Sequence, residues 1–102
     1  MNEDRWLLSI TARVAPEEED AFNDWYDNEH LPVILTCPGF HSARRYVADG
    51  PEGRRYLTQY EIDGPQAMQT PEFAKAGKDT PFKGQATFDV GVYRVLEPAL
   101  RT

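Results

Sequence analysis

The order of its periodic segments constrains the fold of this chain more than any other feature. Residues 5–14 alternate between apolar and polar side chains, which is typical of a strand. A helical spacing follows Pro16, and two further strand patterns, at residues 40–47 and 55–62, flank a turn rich in Gly and Pro. Two short helical pieces, residues 66–69 and 71–76, precede a last strand at residues 87–96. This β-α-β-β-α-β order predicts one α+β domain over residues 1–102, with a ferredoxin-like four-stranded antiparallel sheet and both helices on one face.

The first and last strands carry apolar side chains on both faces of the predicted sheet. Leu7 points away from the face that holds Leu8, and Tyr93 points away from the face that holds Val92. Because two helices cover only one face, the other face needs a second cover. The simplest cover is a symmetric copy of the chain, so we expect a homodimer.

Composition excludes several classes of protein. The chain has 102 residues, enough for one domain with a modest core. Its formal net charge of −6 argues against a nucleic-acid partner. An apolar run of the ~20 residues that a membrane helix needs is missing, and the first residues lack the basic flank of a signal peptide. The single cysteine, Cys37, excludes an internal disulfide, so we expect a cytoplasmic protein without a membrane partner.

The first helix supplies the candidates for acid–base chemistry. It is predicted to begin at Pro16, and its regular part is predicted to end near His30, because Pro32 disfavours helical geometry at the residue before it. Residues 31–40 are predicted to form a helical turn followed by a loop. Its apolar stripe follows the spacing i, i+3, i+4, i+7 and contains Phe22, Trp25, Tyr26 and Glu29.

Glu29 and His30 are the chemically distinctive residues of this helix. A carboxylate among apolar side chains is costly unless it is paired, so Glu29 either joins a buried salt bridge or orients a catalytic group. His30 lies beside Tyr26 at the margin of the stripe, and an imidazole with a pKa near ~6.5 suits proton transfer. The alternative for His30 is a structural interaction with the negative end of the helix.

Several segments of the chain resemble a known family. They are residues 22–32 (FNDWYDNEHLP), Pro-Gly-Phe at 38–40, Arg-Arg-Tyr at 44–46, Tyr-Leu at 56–57, Tyr-Glu at 60–61 and Pro-Glu-Phe at 71–73. Together they resemble the EthD-like branch of the dimeric α/β-barrel superfamily, over about residues 6–96. The resemblance implies two ferredoxin-like subunits packed sheet against sheet, with a mostly apolar pocket in each. It also implies that the histidine of the Glu-His-x-Pro motif, His30, lines that pocket.

Strand residues supply further candidates. Arg44 and Arg45 are adjacent and point to opposite faces, so one faces the barrel interior and the other faces the helices. We assign Arg44 to the catalytic set, with binding of a carboxylate or enolate as its role and an ion pair as the alternative. The substrate-binding candidates are Trp25, Glu29, His41, Tyr46 and Tyr60.

Neither a metal nor an organic cofactor is expected. Glu29 and His30 are adjacent rather than four residues apart, and His41 lies eleven residues further on, so a local ligand pattern does not appear. Gly50, Gly53 and Gly64 are turn residues without the helix that a phosphate-binding loop requires.

The resemblance also suggests a function. Family members with an assigned role are largely cofactor-independent lyases, isomerases, cyclases or oxygenases that act on small aromatic, lactone or polyketide-derived compounds. We therefore hypothesise a cofactor-independent enzyme in which His30 is the acid or base, and Tyr26 or Arg44 stabilises an oxyanion. A non-catalytic dimeric small-molecule binder or pathway accessory protein is the alternative. A small monooxygenase is a second alternative, although the sequence shows neither a haem ligand nor an activating Asn–Trp pair.

Overall fold

Four strands pair into one sheet in the computed structural model, which describes residues 5–78, 82 and 86–96. The strands are β1 (Trp6–Val14), β2 (Phe40–Gly50), β3 (Gly53–Ile62) and β4 (Ala86–Arg94). Across the sheet they lie in the order β2-β3-β1-β4, and each neighbouring pair is antiparallel. This is the ferredoxin-like arrangement, so the predicted fold class is confirmed.

The helices pack on one face of this sheet. The first helical segment consists of a 3₁₀ turn (Pro16–Glu18), helix α1 (Glu19–Trp25), a π-turn (Tyr26–His30) and helix α2 (Leu31–Ile34). The second consists of a 3₁₀ turn (Pro65–Gln69) and helix α3 (Pro71–Lys78). Thr70 caps α3, because its hydroxyl accepts a hydrogen bond from the Phe73 N–H at 3.1 Å.

A π-turn ends at His30, and the single helical turn predicted after it is observed at Leu31–Ile34; the sequence did not predict the π-turn that keeps the segment continuous through Pro32. The Leu31 N–H donates to the Tyr26 carbonyl, and Leu31 keeps helical dihedral angles (φ −59°, ψ −45°) although a proline follows it. A π-turn widens the helix locally and accommodates a residue that lacks an N–H.

The same turn changes which residues face the sheet. In a regular α-helix, positions four apart drift by about 40° around the axis, and the wider turn removes much of that drift. The inward positions therefore recur every four residues, at Phe22, Tyr26, His30 and Ile34. Glu29 is exposed, so the prediction that it lies within the apolar stripe is wrong.

The core consists of two clusters between the sheet and the helices. One is built around Leu8, Ile34 and Tyr60, and the other around Phe22 and Tyr26. The Phe22 ring is fully buried and lies 5.3 Å from the Tyr26 ring, a spacing at which aromatic pairs stabilise a core beyond simple burial. Residues from both clusters line the pocket described below.

The second face of the sheet is uncovered in the single chain. The strand registers align Tyr46 with Leu57 and Leu7 with Tyr93 on this face, and the Tyr46 side chain is 45% exposed. Charged groups lie among them, because Glu61 accepts a hydrogen bond from Arg5 at 3.3 Å. The uncovered face is therefore a mixed surface, on which the two apolar pairs lie on either side of a central row formed by Arg44, Gln59, Ser9 and Gly91.

Candidate functional site

A pocket of about 240 Å³ lies between the helix-facing side of the sheet and the helices. Its apolar walls come from the sheet, the first helical segment and α3, and include Ile10, Ile34, Phe73, Phe88 and Val90. Val90 faces the helices but is 63% exposed, so the pocket opens to solvent beside strand β4. Apolar cavities of ~150 Å³ hold a benzene molecule, and this pocket is therefore large enough for a small ring compound.

His30 is the titratable group of this pocket with the clearest capacity for proton transfer. Its imidazole stacks on the Trp25 indole, with ring centroids 4.5 Å apart, and meets the Tyr26 ring edge-on at 5.0 Å. Burial lowers the pKa of His30 to about 4, because an apolar environment disfavours the charged form. Neither ring nitrogen has a hydrogen-bond partner among the described residues, so a neutral imidazole remains available to a ligand.

The lowered pKa of His30 predicts a pH dependence of folding. The unfolded chain binds a proton at His30 below pH ~6.5, whereas the folded chain does so only near pH 4. The contribution of His30 to the free energy of unfolding is therefore highest above pH ~6.5 and falls as the pH drops toward 4. Because solvent reaches part of the ring, we expect a loss of about 1–2 kcal/mol. Urea denaturation of the parent and of His30→Gln at several pH values measures this loss. Equal dependence of the free energy of unfolding on pH in the two proteins would contradict the prediction.

Two tyrosine hydroxyls supply the other polar groups. Tyr60 is 1% exposed, and its hydroxyl has no hydrogen bond of normal geometry within the part of the chain that the structure describes. Burial raises the pKa of Tyr60, the neighbouring Tyr26 adds to that increase, and the positive charge of Arg45 opposes it. A buried hydroxyl without a partner destabilises a fold, and such groups are often explained by a ligand or a catalytic role.

Arg45, rather than Arg44, is the arginine on the helix side of the sheet. Its guanidinium donates to Asp27 Oδ1 and to Asn23 Oδ1, each at 2.9 Å, and lies 4.5 Å from the centroid of the Tyr26 ring. Arg44 is exposed on the opposite face, where it does not reach the pocket. Arg44 therefore lies away from this pocket, and of the two arginines that the sequence offered it is Arg45 that packs against a pocket residue, Tyr26.

Three other candidates lie away from the pocket. Glu29 does not line the pocket but lines an adjoining groove with Glu72 and Lys75, and this groove shares Trp25 and His30 with the pocket. His41 is exposed at the start of β2 and pairs with Asp63, whose hydrogen bond and charge raise the pKa of His41. Tyr46 lies on the uncovered face of the sheet. The structure thus brings together four of the predicted residues: Trp25, Tyr26, His30 and Tyr60.

Other kinds of site receive little support. Within residues 5–78, 82 and 86–96, the His, Cys, Asp and Glu side chains form no group of three that holds a metal ion. The Cys37 thiol is buried, and burial and the nearby Glu72 raise its pKa, which makes it a poor nucleophile. Of the helices in the described segments, none is long and apolar enough to cross a membrane.

The sheet order and the two helical segments give the chain the ferredoxin-like α+β fold. A family model described as "Domain of unknown function (DUF4286)" matches residues 5–79, and the chain belongs to this family. No curated protein sequence matches the chain.

Similar solved structures support the resemblance to EthD proteins. An ethyl tert-butyl ether D (EthD) family protein from Bacillus halodurans is 27% identical, covers 84% of this chain and 96% of its own, and superposes with a TM-score of 0.62. HapK from Hahella chejuensis is 18% identical over 95% of this chain and 98% of its own, with a TM-score of 0.70. SnoaB, a cofactor-independent oxygenase from Streptomyces nogalater, is 11% identical over 93% of this chain and 96% of its own, with a TM-score of 0.66. The last two likenesses show the fold alone.

Proposed function

We propose that this protein is a cofactor-independent enzyme that moves protons on a small, apolar, oxygen-containing compound. The substrates that fit are aromatic, lactone or polyketide-like molecules, and the reaction is of the lyase, isomerase or cyclase type. One observation carries the proposal: His30, a neutral imidazole without a hydrogen-bond partner among the described residues, faces an apolar pocket that is also lined by Tyr60, whose buried hydroxyl has no hydrogen bond of normal geometry to those residues.

The proposed reaction begins with proton abstraction by His30. A neutral ring nitrogen takes a proton from the carbon next to a carbonyl group, and the electron pair of that C–H bond moves onto the carbonyl oxygen. The hydroxyl of Tyr60 or Tyr26 donates a hydrogen bond to this oxygen and stabilises the enolate. His30 then returns the proton to a different carbon or to a leaving group. The apolar walls keep water away from both charges.

Proton exchange tests this proposal without knowledge of the natural substrate. The purified protein is incubated in D₂O with a panel of small cyclic ketones and lactones, and loss of the α-proton signals is followed by ¹H NMR. At least one compound should exchange faster than in buffer alone. A compound that binds, as measured by a raised melting temperature, but does not exchange would favour the non-catalytic binder.

An oxygenase role is the further alternative, since SnoaB is described as a cofactor-independent oxygenase. It differs from simple proton transfer in one measurable respect, because oxidation of the substrate consumes O₂. An oxygen electrode therefore separates the two reactions on any compound that passes the exchange screen.

We also propose that the protein is a cytoplasmic homodimer with the uncovered sheet faces packed together. Two apolar pairs, Tyr46 with Leu57 and Leu7 with Tyr93, would supply the apolar contacts of that interface. Sedimentation equilibrium at micromolar concentration should give about twice the chain mass of 11.6 kDa. Tyr46→Glu should shift the protein toward monomer, whereas Val33→Glu, at a side chain 51% exposed on α2, should leave it dimeric. A parent protein that is monomeric and folded would contradict the proposal.

A further inference from the structure

A buried arginine lies behind the two tyrosines of the pocket. The Arg45 side chain is 15% exposed, and its guanidinium carbon lies 4.5 Å from the ring centroid of Tyr26 and 5.3 Å from that of Tyr56. Its Nε is buried and has no hydrogen-bond partner among the described residues. A cation over an aromatic face is attracted by the ring, and it draws electron density away from the hydroxyl that the ring carries. Arg45 therefore makes the Tyr26 hydroxyl a stronger hydrogen-bond donor.

Two carboxylates lie near Arg45: Asp27 faces solvent, whereas the Glu19 side chain is only 23% exposed and is shared with Arg54. Asp27, on the π-turn, accepts a hydrogen bond from Arg45 at 2.9 Å but is 57% exposed. Glu19, on α1, accepts a hydrogen bond from Tyr56 and lies 3.9 Å from Arg54, a second cation. Water screens exposed carboxylates, whereas the field of a buried cation extends through aromatic rings with less attenuation. The side of Arg45 that faces the pocket consequently keeps a positive potential.

The pocket itself offers donors and no competing negative charge. Among its described lining residues are two tyrosines and a neutral histidine, and none of the others is a carboxylate or carries a charge. Two hydroxyl donors, a positive potential and apolar walls together form a site for an oxyanion on a ring compound. The weak basicity of His30 agrees with this, because a weak base is matched to a substrate that gives up its proton readily.

We propose that the pocket binds a phenol or an enol as its anion, and that Arg45 is the positioning residue that supplies the positive charge through Tyr26 and Tyr60. On binding, the O–H bond of the ligand breaks, its electron pair stays on the oxygen, and the proton passes to the buffer. The inference rests on the proposed function, because it names the substrate class of the same pocket. The same contacts would stabilise the enolate that forms when His30 removes a proton in the proposed reaction.

The coloured anion of 4-nitrophenol provides the test. This probe ionises near neutral pH, so a spectrophotometric titration with excess protein gives the pKa of the bound probe. We expect that pKa to lie about one unit below the value in buffer, which corresponds to roughly tenfold tighter binding of the anion than of the neutral phenol. A bound probe whose pKa rises, or the absence of binding by equilibrium dialysis at millimolar probe, would overturn the inference from the parent protein alone.

Variants locate the source of the charge. Arg45→Met should reverse the shift, so that the bound probe ionises at a higher pH than in buffer, because an apolar pocket without a cation disfavours an anion. Arg45→Lys keeps the charge and should retain the downward direction. Arg44→Met, on the opposite face of the sheet, should match the parent. An unchanged shift in a folded Arg45→Met protein would overturn the role of Arg45.

His30→Gln separates this inference from the proposed function. The variant should still lower the pKa of bound 4-nitrophenol, since Arg45 is intact, while proton exchange on carbonyl compounds is lost. If the shift disappears in His30→Gln, the histidine rather than Arg45 attracts the anion, and the inference fails. If the parent protein lowers the pKa of the bound probe but catalyses proton exchange on no compound, the proposed enzyme activity is wrong and the proposed anion site is supported.

Discussion

Replacing His30 with glutamine is expected to slow proton–deuterium exchange on an accepted carbonyl compound by roughly 10²–10⁴-fold, the usual contribution of a general acid or base. Glutamine is similar in size to histidine but does not accept a proton near neutral pH. The imidazole makes no hydrogen bond to any described residue, so its replacement breaks none and the fold should persist. Exchange is followed by ¹H NMR, and folding by circular dichroism.

His41→Gln is the matched control, because it removes the other of the two histidines in the chain. His41 is exposed, pairs with Asp63 and does not line the pocket, so this variant should exchange protons at the parental rate. Equal losses in both variants would indicate a general effect on folding. A parental rate in His30→Gln would make His30 a structural residue.

The pH profile of the parent gives an independent measure of the same role. Exchange at low substrate concentration should be constant around neutral pH and fall as the pH approaches 4, because protonated His30 cannot accept a proton. The falling limb should be absent from the residual activity of His30→Gln. A limb centred near pH ~6.5, the ordinary value for histidine, would mean that the ring is solvated during the reaction.

The fold could be predicted from the sequence because its strands follow a simple rule. Strands alternate with period two, and four such segments with two helical interruptions leave few arrangements open. Local signals also sufficed at Thr70, where a hydroxyl before a proline predicts a helix cap, and the structure contains that hydrogen bond. These features depend on residues that are close together along the chain, so a single sequence is enough to predict them.

The orientation of the first helical segment could not be predicted in the same way. The rule for residues before proline correctly indicated that the regular helix stops near His30 and that one helical turn follows, but it did not indicate the π-turn at Tyr26–His30. The prediction placed Glu29 among the inward residues because it applied the regular α-helical spacing to the whole first helical segment. The wider turn exchanges the environments of two adjacent residues, so that His30 faces the pocket and Glu29 faces solvent.

The other features that the sequence did not predict depend on contacts between segments that are far apart along the chain. Period two predicts that Arg44 and Arg45 face opposite sides, but only the pairing of Arg45 with the buried Thr58 shows which of them faces the helices. The His41–Asp63 pair joins residues of two chain segments that meet only in the folded sheet, and no local pattern indicates it. Such contacts depend on register, which a single sequence specifies only weakly where both faces carry mixed side chains.

Replacing Tyr60 with phenylalanine is expected to separate stability from activity. A buried hydroxyl without a partner has lost its hydration and gained no protein hydrogen bond, so its removal should raise the free energy of unfolding by about 1 kcal/mol. The same substitution removes a donor to the enolate oxygen and should slow proton exchange by roughly 10²-fold. Urea denaturation and the NMR exchange assay measure the two effects on one preparation.

Tyr56→Phe provides the comparison, because its hydroxyl is fully engaged on the same strand. It donates to Glu19 at 2.6 Å and accepts from Asn23 Nδ2 at 3.2 Å, outside the pocket. Its removal should therefore lower the free energy of unfolding by about 1 kcal/mol and slow exchange much less than Tyr60→Phe does. Equal destabilisation by both substitutions would mean that Tyr26 holds the Tyr60 hydroxyl in a hydrogen bond in solution. A stabilised Tyr60→Phe protein with parental exchange would instead leave Tyr26 as the donor to the oxyanion.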